Sequence, residues 1–335
     1  MPIISKREDV LAVYAEAAQR GWVIPCFCSE NLTTTEAILH ATKEYGERIG
    51  VPDLMVTIAM TVQYDHRTQA EYYTHTRRWD VGLRLFLADL GVLTAPGAPY
   101  EKLRVLVHLD HIQFDLDADL LNWDMSPFSS IMFDASKVPF ERNIELTAAF
   151  VKAHGSEIVI EGACDEIVDA TGALRSDLTT ADKAEDYFAR TGVDMIVANL
   201  GTEHRASATS LHYYGENARE IRDRVGARIV LHGASSVPAD QIAGLYNDGV
   251  CKVNLWTALE RDTSPALLDA MVRHASLVGG PKTAGQLLAD GMLGENAPVS
   301  DKASLAYFTT VYRQDIIFGE MVKLIEGFLK LWYHN

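Results

Sequence analysis

Arg104-Val105-Leu106-Val107-His108-Leu109-Asp110-His111 is the stretch that decides the fold. An almost unbroken apolar run ends abruptly in titratable side chains. Strict alternation would mark a strand with one wet face; an unbroken run marks a strand buried on both faces, as in a parallel sheet covered by its own connections. Seven further runs of this kind flank it. Trp22 to Phe27 and Leu54 to Ile58 precede it. Ser130 to Phe133, Ile158 to Glu161, Met195 to Ala198, Arg228 to Leu231 and Cys251 to Asn254 come after it.

Segments with helical periodicity separate the runs. Thr33-Thr-Thr-Glu36 is a possible capping box for a helix continuing through Ala37, Ile38, Leu39 and Ala41. Phe140 to His154 closes at Gly155, Ala181 to Arg190 ends before Gly192, and Ala239 to Asn247 is followed by Gly249. Eight strands alternating with helices predict an α/β fold, a (β/α)8 TIM barrel. A doubly wound sheet would carry a Gly-rich loop after its first strand, and none follows Phe27. Two stretches break the repeat. Tyr64 to Lys102 reads as a long helical segment ending in Ala95-Pro-Gly-Ala-Pro99, and several helices follow Thr263, the last over Met321 to Trp332. We expect one barrel domain over residues 1–335, with a helical extension from about 263 to 335. This extension serves as an addition to the barrel or as a subunit contact, and a homodimer or homotetramer is expected.

The formal charge of −16 over 335 residues disfavours nucleic acid and anionic membrane surfaces as partners. A small anionic substrate stays possible, because local amides, cations or a metal can bind one inside an acidic protein. No apolar run approaches the roughly 18 residues of a membrane span, and Met1 to Asp9 has no apolar signal core, so a cytoplasmic location is expected. Cys26, Cys28, Cys164 and Cys251 read as buried free thiols; a Cys26/Cys28 metal pair is the lesser reading, because no second pair has zinc-site spacing.

The residues just past each run carry the chemistry. In such a barrel the active site lies at the carboxyl ends of the strands. There the sequence places Asp110-His111, Asp134-Ala-Ser136, Glu161, Asn199-Leu-Gly201 leading to His204, His232-Gly-Ala-Ser235-Ser236, and Asn254-Leu-Trp256-Thr257. His111, His204 and His232 can converge on one metal with an open fourth position, the pattern of a catalytic rather than a structural zinc site. Asp110 is a metal ligand, an orienting acid or a proton donor, and His108, inside its strand, reads as packed behind the site. Gly233, Ser235 and Thr257 suit an anion pocket after strands seven and eight, although Ser235, Ser236 and Pro238 could equally begin a helix.

Together these motifs resemble the class II, zinc-dependent fructose-bisphosphate and tagatose-bisphosphate aldolases. The motifs are His108-Leu-Asp-His111, Ser130 to Ser136 with Pro139-Phe-Glu-Arg-Asn143, Thr191-Gly-Val-Asp194, Gly201-Thr-Glu-His204, His232-Gly-Ala-Ser235 and Lys252-Val-Asn254. The likeness runs from about Ile3 to Leu259. It implies one catalytic Zn2+ on His111, His204 and His232, Asp110 acting on the aldehyde oxygen, Asn254 holding the donor-derived enediolate, and Gly233, Ser235 and Thr257 around a phosphate. The implied reaction is reversible retro-aldol cleavage of a ketose or ketose phosphate without a Schiff-base lysine. Hydrolysis by metal-bound hydroxide and a non-catalytic sugar-phosphate binder are the alternatives.

The departures from the family pattern cluster. Arg205 replaces the Gly after the second histidine, Ser236 replaces a Gly, and Trp256 replaces an Asp. Glu161-Gly-Ala-Cys-Asp165 stands where the family has Glu-x-Glu-Leu-Gly, and the loop after it is short, leaving Glu166 or Asp169 as candidates for the enolising acid. Arg205 is a candidate substrate contact. These changes imply a non-standard substrate, one without a second phosphate or with a carboxylate.

Overall fold

The computed structural model describes residues 3–167, 178–203 and 212–334. Eight parallel strands close into a barrel in chain order: β1 (Ile24–Cys28), β2 (Met55–Thr61), β3 (Arg104–Gln113), β4 (Ser130–Asp134), β5 (Val159–Ala163), β6 (Met195–Val197), β7 (Ile229–Leu231) and β8 (Val250–Leu255). β8 returns to β1, pairing Cys26 with Asn254. β1, β2, β4, β5, β6 and β7 are buried along their whole length, as the unbroken apolar runs anticipated.

Among the described residues, seven helices belong to the barrel: α1 (Arg7–Gln19), α2 (Leu32–Arg48), α3 (Gln69–Tyr72), α4 (Trp79–Leu93), α5 (Phe140–His154), α6 (Ala181–Thr191) and α7 (Gly215–Val225). α2 starts earlier than the expected capping box, because the Asn31 side chain, not Thr33, accepts the Thr34 N–H. The long segment between β2 and β3 is split into α3 and α4 rather than continuous. The helix expected over Ala239 to Asn247 is also different. Two 3-10 turns, Ala234–Ser236 and Ile242–Asp248, join β7 to β8. Pro238 accepts from Gln241 N and Gly244 lies inside the second turn, so short i to i+3 bonds prevail over a regular α-helix.

Four helices follow: α8 (Thr257–Arg273), α9 (Ala275–Ala289), α10 (Leu305–Phe308) and α11 (Thr310–Trp332). α11 packs along α2 and α8. The chain beyond it is pinned beneath the barrel: Tyr45 donates to Tyr333 O at 2.7 Å, Tyr333 donates to Met55 O at 2.7 Å, and the Trp22 indole donates to His334 O at 2.7 Å. No helix among the described residues is long and apolar enough to cross a membrane.

β3 runs further than the sequence suggested and contains Asp110 and His111 instead of ending before them. Its register against β4 shifts between Leu109 and Ile112, and His111 has φ of 49°. Successive residues of a regular strand face opposite ways, whereas a bulge re-aims one of them. The irregularity is what allows neighbouring Asp110 and His111 to line the same cavity.

Candidate active site

At the carboxyl ends of β1, β2, β3, β7 and β8 lies a cavity. Asp110, His111, His232 and Asn254 all line it. Potential ligand atoms of Asp110, His111 and His232 lie within 4.8 Å of one another, and His111 Nε2 is 3.1 Å from His232 Nδ1.

Each of these side chains is held from behind. Asp134 Oδ2 sits 2.8 Å from His111 Nδ1. A carboxylate only accepts, so Nδ1 carries the proton and Nε2 turns its lone pair toward His232 when the ring is neutral. Asp134 is itself fixed by the Ser136 N–H at 3.0 Å and hydroxyl at 2.6 Å. Tyr64 stacks on the His111 ring with centroids 4.2 Å apart. Asp110 accepts from Asn254 Nδ2 at 2.9 Å through one oxygen and from the Cys28 thiol at 3.5 Å through the other.

Burial opposes charge on Asp110, but His111, His108 and His232 outweigh it and hold the carboxyl well below the usual carboxylate range. Burial also opposes protonation of His111, yet Asp110 and Asp134 raise its pKa. Two carboxylates around two imidazoles thus form a buried site that favours a positive charge. A lone pair braced by a second carboxylate is also the usual preparation of a metal-binding histidine. The donor set therefore fits a borderline divalent ion such as zinc.

Beneath this cluster, His108 Nδ1 bonds Ser130 Oγ at 2.8 Å, and Lys252 Nζ bonds Glu161 at 2.6 Å with both side chains fully buried. His108 is thus packed behind the site, as expected. All four cysteines are free, three of them buried and Cys251 partly so.

The ends of β7 and β8 supply the anion-pocket candidates. Gly233 (φ 67°), Ser235 and Thr257 line the cavity. A side chain at Gly233 would press on the Glu203 backbone, at 2.8 Å from its carbonyl oxygen. Ser236 faces the same way: its hydroxyl donates to Glu203 O and accepts from Glu203 N, each at 2.9 Å. Thr202 donates to His232 O at 2.7 Å. The Ser at 236 thus clamps the segment leading to His204 onto the β7 end. His204 and Arg205, and Asp169 beyond β5, lie outside the described residues. Glu166 follows β5, half-buried, and is not among the residues lining the cavity.

Several lining or bracing residues carry no motif that sequence reasoning could use. Cys28, Glu30, Tyr64 and Arg67 come from the ends of β1 and β2, where the polar residues follow no recognisable spacing. Asp134 was visible as a strand-end acid, but its role depends on the bulge in β3 that turns His111 toward it.

The family model described as fructose-bisphosphate aldolase class II matches residues 8–286. The chain belongs to that family. It is a metal-dependent aldolase, an aldehyde-lyase, and barrel hydrolysis or a purely binding role is not favoured. The D-tagatose-1,6-bisphosphate aldolase subunit GatY of Klebsiella oxytoca is 29% identical over 279 residues, covering 80% of this chain and 86% of that protein. Among solved structures, the fructose-bisphosphate aldolase of Campylobacter jejuni has a TM-score of 0.76 at 17% identity, covering 98% of this chain and 95% of that one. The YdjI aldolase of Escherichia coli K12 has a TM-score of 0.62 at 19% identity, covering 96% and 95%. These structural likenesses show the shared barrel; the family model carries the chemistry.

Proposed function

We propose that this class II aldolase reversibly cleaves a ketose phosphate at the Asp110–His111–His232 cluster, and that its substrate differs from the usual ketose bisphosphate. One observation carries the reading: Asp110, the group best placed to exchange a proton, is bonded to Asn254 beside the paired histidines inside one cavity. His111, His232 and His204 would hold one Zn2+. When bound, the metal supplies Lewis-acid polarisation of the substrate carbonyl.

The chain's own groups do the rest. Asp110 moves the proton at the aldehyde oxygen. Asn254 commits its amide N–H to Asp110, and its Oδ1 is buried with no hydrogen-bond partner. A buried acceptor of that kind is suited to a substrate hydroxyl. Gly233, Ser235 and Thr257 receive a phosphate, and Arg205 is a further substrate contact. Glu166 or Asp169 takes the proton next to the carbonyl. No lysine is among the described lining residues, and Lys252 is locked to Glu161, which supports a route without a Schiff base. Residues 1–335 act as one catalytic unit, cytoplasmic and a homodimer or homotetramer, with the helices after about residue 263 as an extension.

The deciding experiment is proton exchange. Zinc-loaded protein incubated with dihydroxyacetone phosphate in heavy water is expected to incorporate deuterium next to the carbonyl, and chelation is expected to abolish it. Metal binding without exchange on a broad panel of ketones and ketose phosphates would overturn the proposal. Efficient cleavage of fructose 1,6-bisphosphate would overturn the altered specificity alone.

A further inference from the structure

The rim of the cavity from β8 across β1 to the loop after β2 is closed by a chain of three side chains. Trp256, directly before α8, donates its indole N–H to Glu30 Oε1 at 2.7 Å. Glu30, just past β1, accepts the Arg67 guanidinium through both oxygens, with Nε at 3.0 and 3.1 Å and Nη2 closer still. Arg67 is set in place by its backbone and its ring contact: its carbonyl accepts the Thr61 hydroxyl, and its guanidinium lies 4.5 Å from the Tyr72 ring centre. Arg67 and Trp256 line the cavity, while Glu30 stands behind them, 6% exposed.

The charge balance of this wall is unusual for a sugar-phosphate site. Arg67 is the one Lys or Arg among the described lining residues, and Glu30 already neutralises it. A second acid, Glu260, stands close by in the first turn of α8. Burial, and then the Glu30 charge, push its carboxyl up to about 7 against the pull of Arg67, and its Oε1 has no hydrogen-bond partner. A phosphate here, carrying about −1.5 to −2 charge, would have to take Arg67 from Glu30 and then sit beside an unpaired buried carboxylate. A hydroxyl has no such conflict. Arg67 is one-third exposed, and the guanidinium N–H groups not used on Glu30 can donate to it. The Trp256 ring offers an apolar face to a carbon chain.

We propose that the Arg67–Glu30–Trp256 wall receives the end of the substrate remote from the metal and selects an uncharged, hydroxylated group there over a phosphate. This rests on the ketose-phosphate reading above and names its class: a ketose monophosphate, cleaved to an unphosphorylated hydroxyaldehyde.

The test is a binding ratio, independent of turnover. Mannitol 1-phosphate and mannitol 1,6-bisphosphate, which have no carbonyl to cleave, are titrated calorimetrically into the zinc-loaded protein. The monophosphate is expected to bind at least tenfold more tightly. Glu30→Gln, which removes the charge and keeps an acceptor, is expected to bring the two within about threefold. Arg67→Gln, which leaves Glu30 unbalanced, is expected to widen the gap. Should Glu30→Gln not fold, Trp256→Phe, which removes the indole donor to Glu30 and keeps an aromatic face, leaves the carboxylate less balanced and is expected to widen the gap. A wild-type preference for the bisphosphate, equal affinities, failure of both to bind, or a ratio unmoved by these substitutions overturns the proposal. Heavy-water exchange separates the two readings: exchange with a wrong ratio sinks the wall alone, and a correct ratio without exchange sinks the aldol chemistry alone.

Discussion

Asn254 Nδ2 donates to Asp110 Oδ1 across 2.9 Å, linking β8 to β3 at the mouth of the barrel. These strands are not neighbours in the sheet, so the bond spans the cavity opening and not a ladder. It fixes the acid beside the histidines and leaves the Asn254 oxygen buried and available.

Asp110→Asn is therefore expected to retain metal and lose turnover by roughly 100-fold or more, the usual scale for a positioned acid–base group. Metal content by atomic absorption and cleavage rate, measured on the same preparation, check it. Retained turnover would remove Asp110 from the proton path. Loss of metal would make it a ligand instead.

Asp134 never needs to touch substrate to matter. Its carboxylate fixes the His111 tautomer from 2.8 Å. Asp134→Asn is expected to weaken zinc affinity by about 10- to 100-fold, in line with the effect of partners behind metal-binding histidines. Competition with a fluorescent zinc chelator reads this directly. Unchanged affinity would mean that His111 is oriented by Tyr64 stacking and the β3 bulge alone.

The barrel was legible because burial on both faces leaves unbroken apolar runs, and the ends of those runs carried His111, His232 and Asn254 at positions the fold later brought together. Two things were not legible. Two 3-10 turns replace the helix expected between β7 and β8, with Gly244 inside the second, and apolar spacing does not distinguish i to i+3 from i to i+4 bonding. The Glu30–Arg67–Trp256 chain joins residues 37 and 226 positions apart, and such pairing is set by strand closure, not by any local pattern. Ser236, a departure from the family pattern, is buried and bonded to the Glu203 backbone, a pairing that no local motif announces.

Gly233 tests that packing. Its φ of 67° and the 2.8 Å approach of Glu203 O leave no room for a methyl group. Gly233→Ala is expected to cost on the order of 1–2 kcal/mol from the left-handed backbone alone, plus the displacement of Glu203. Because Glu203 precedes His204, metal affinity should fall together with stability. Urea unfolding and zinc titration measure the two losses, and an Ala variant with wild-type values for both would contradict the close approach.

Lys252 and Glu161 form a fully buried ion pair at 2.6 Å. Burial disfavours the Lys252 charge, but Cys26, Glu161 and Asp110 raise its pKa overall, so it is a cation and no nucleophile. Lys252→Met should destabilise the fold by about 3–5 kcal/mol, because it strands the Glu161 charge. Adding Glu161→Leu should recover part of that loss. Denaturant unfolding of both singles and the double closes the cycle, and additive losses would argue against direct coupling. Borohydride with a ketose phosphate should trap no adduct on any lysine.

Glu260 gives the protein a pH signature. Its carboxyl is raised from 4.5 to about 7, chiefly by burial and then by Glu30. The folded state therefore binds this proton more tightly than the unfolded chain. Below about 4.5 both states hold it; between 4.5 and about 7 only the folded state does; above that the folded state carries a charge its surroundings disfavour. The group's contribution to stability is lost as pH rises across that window. Glu260→Gln removes the titration, so its Tm relative to wild type should rise from pH 4.5 to pH 8, by on the order of 1–3 °C given the partial exposure of the group. Thermal melts at half-unit intervals would show it, and a Tm difference independent of pH would mean that Glu260 titrates as an ordinary surface acid.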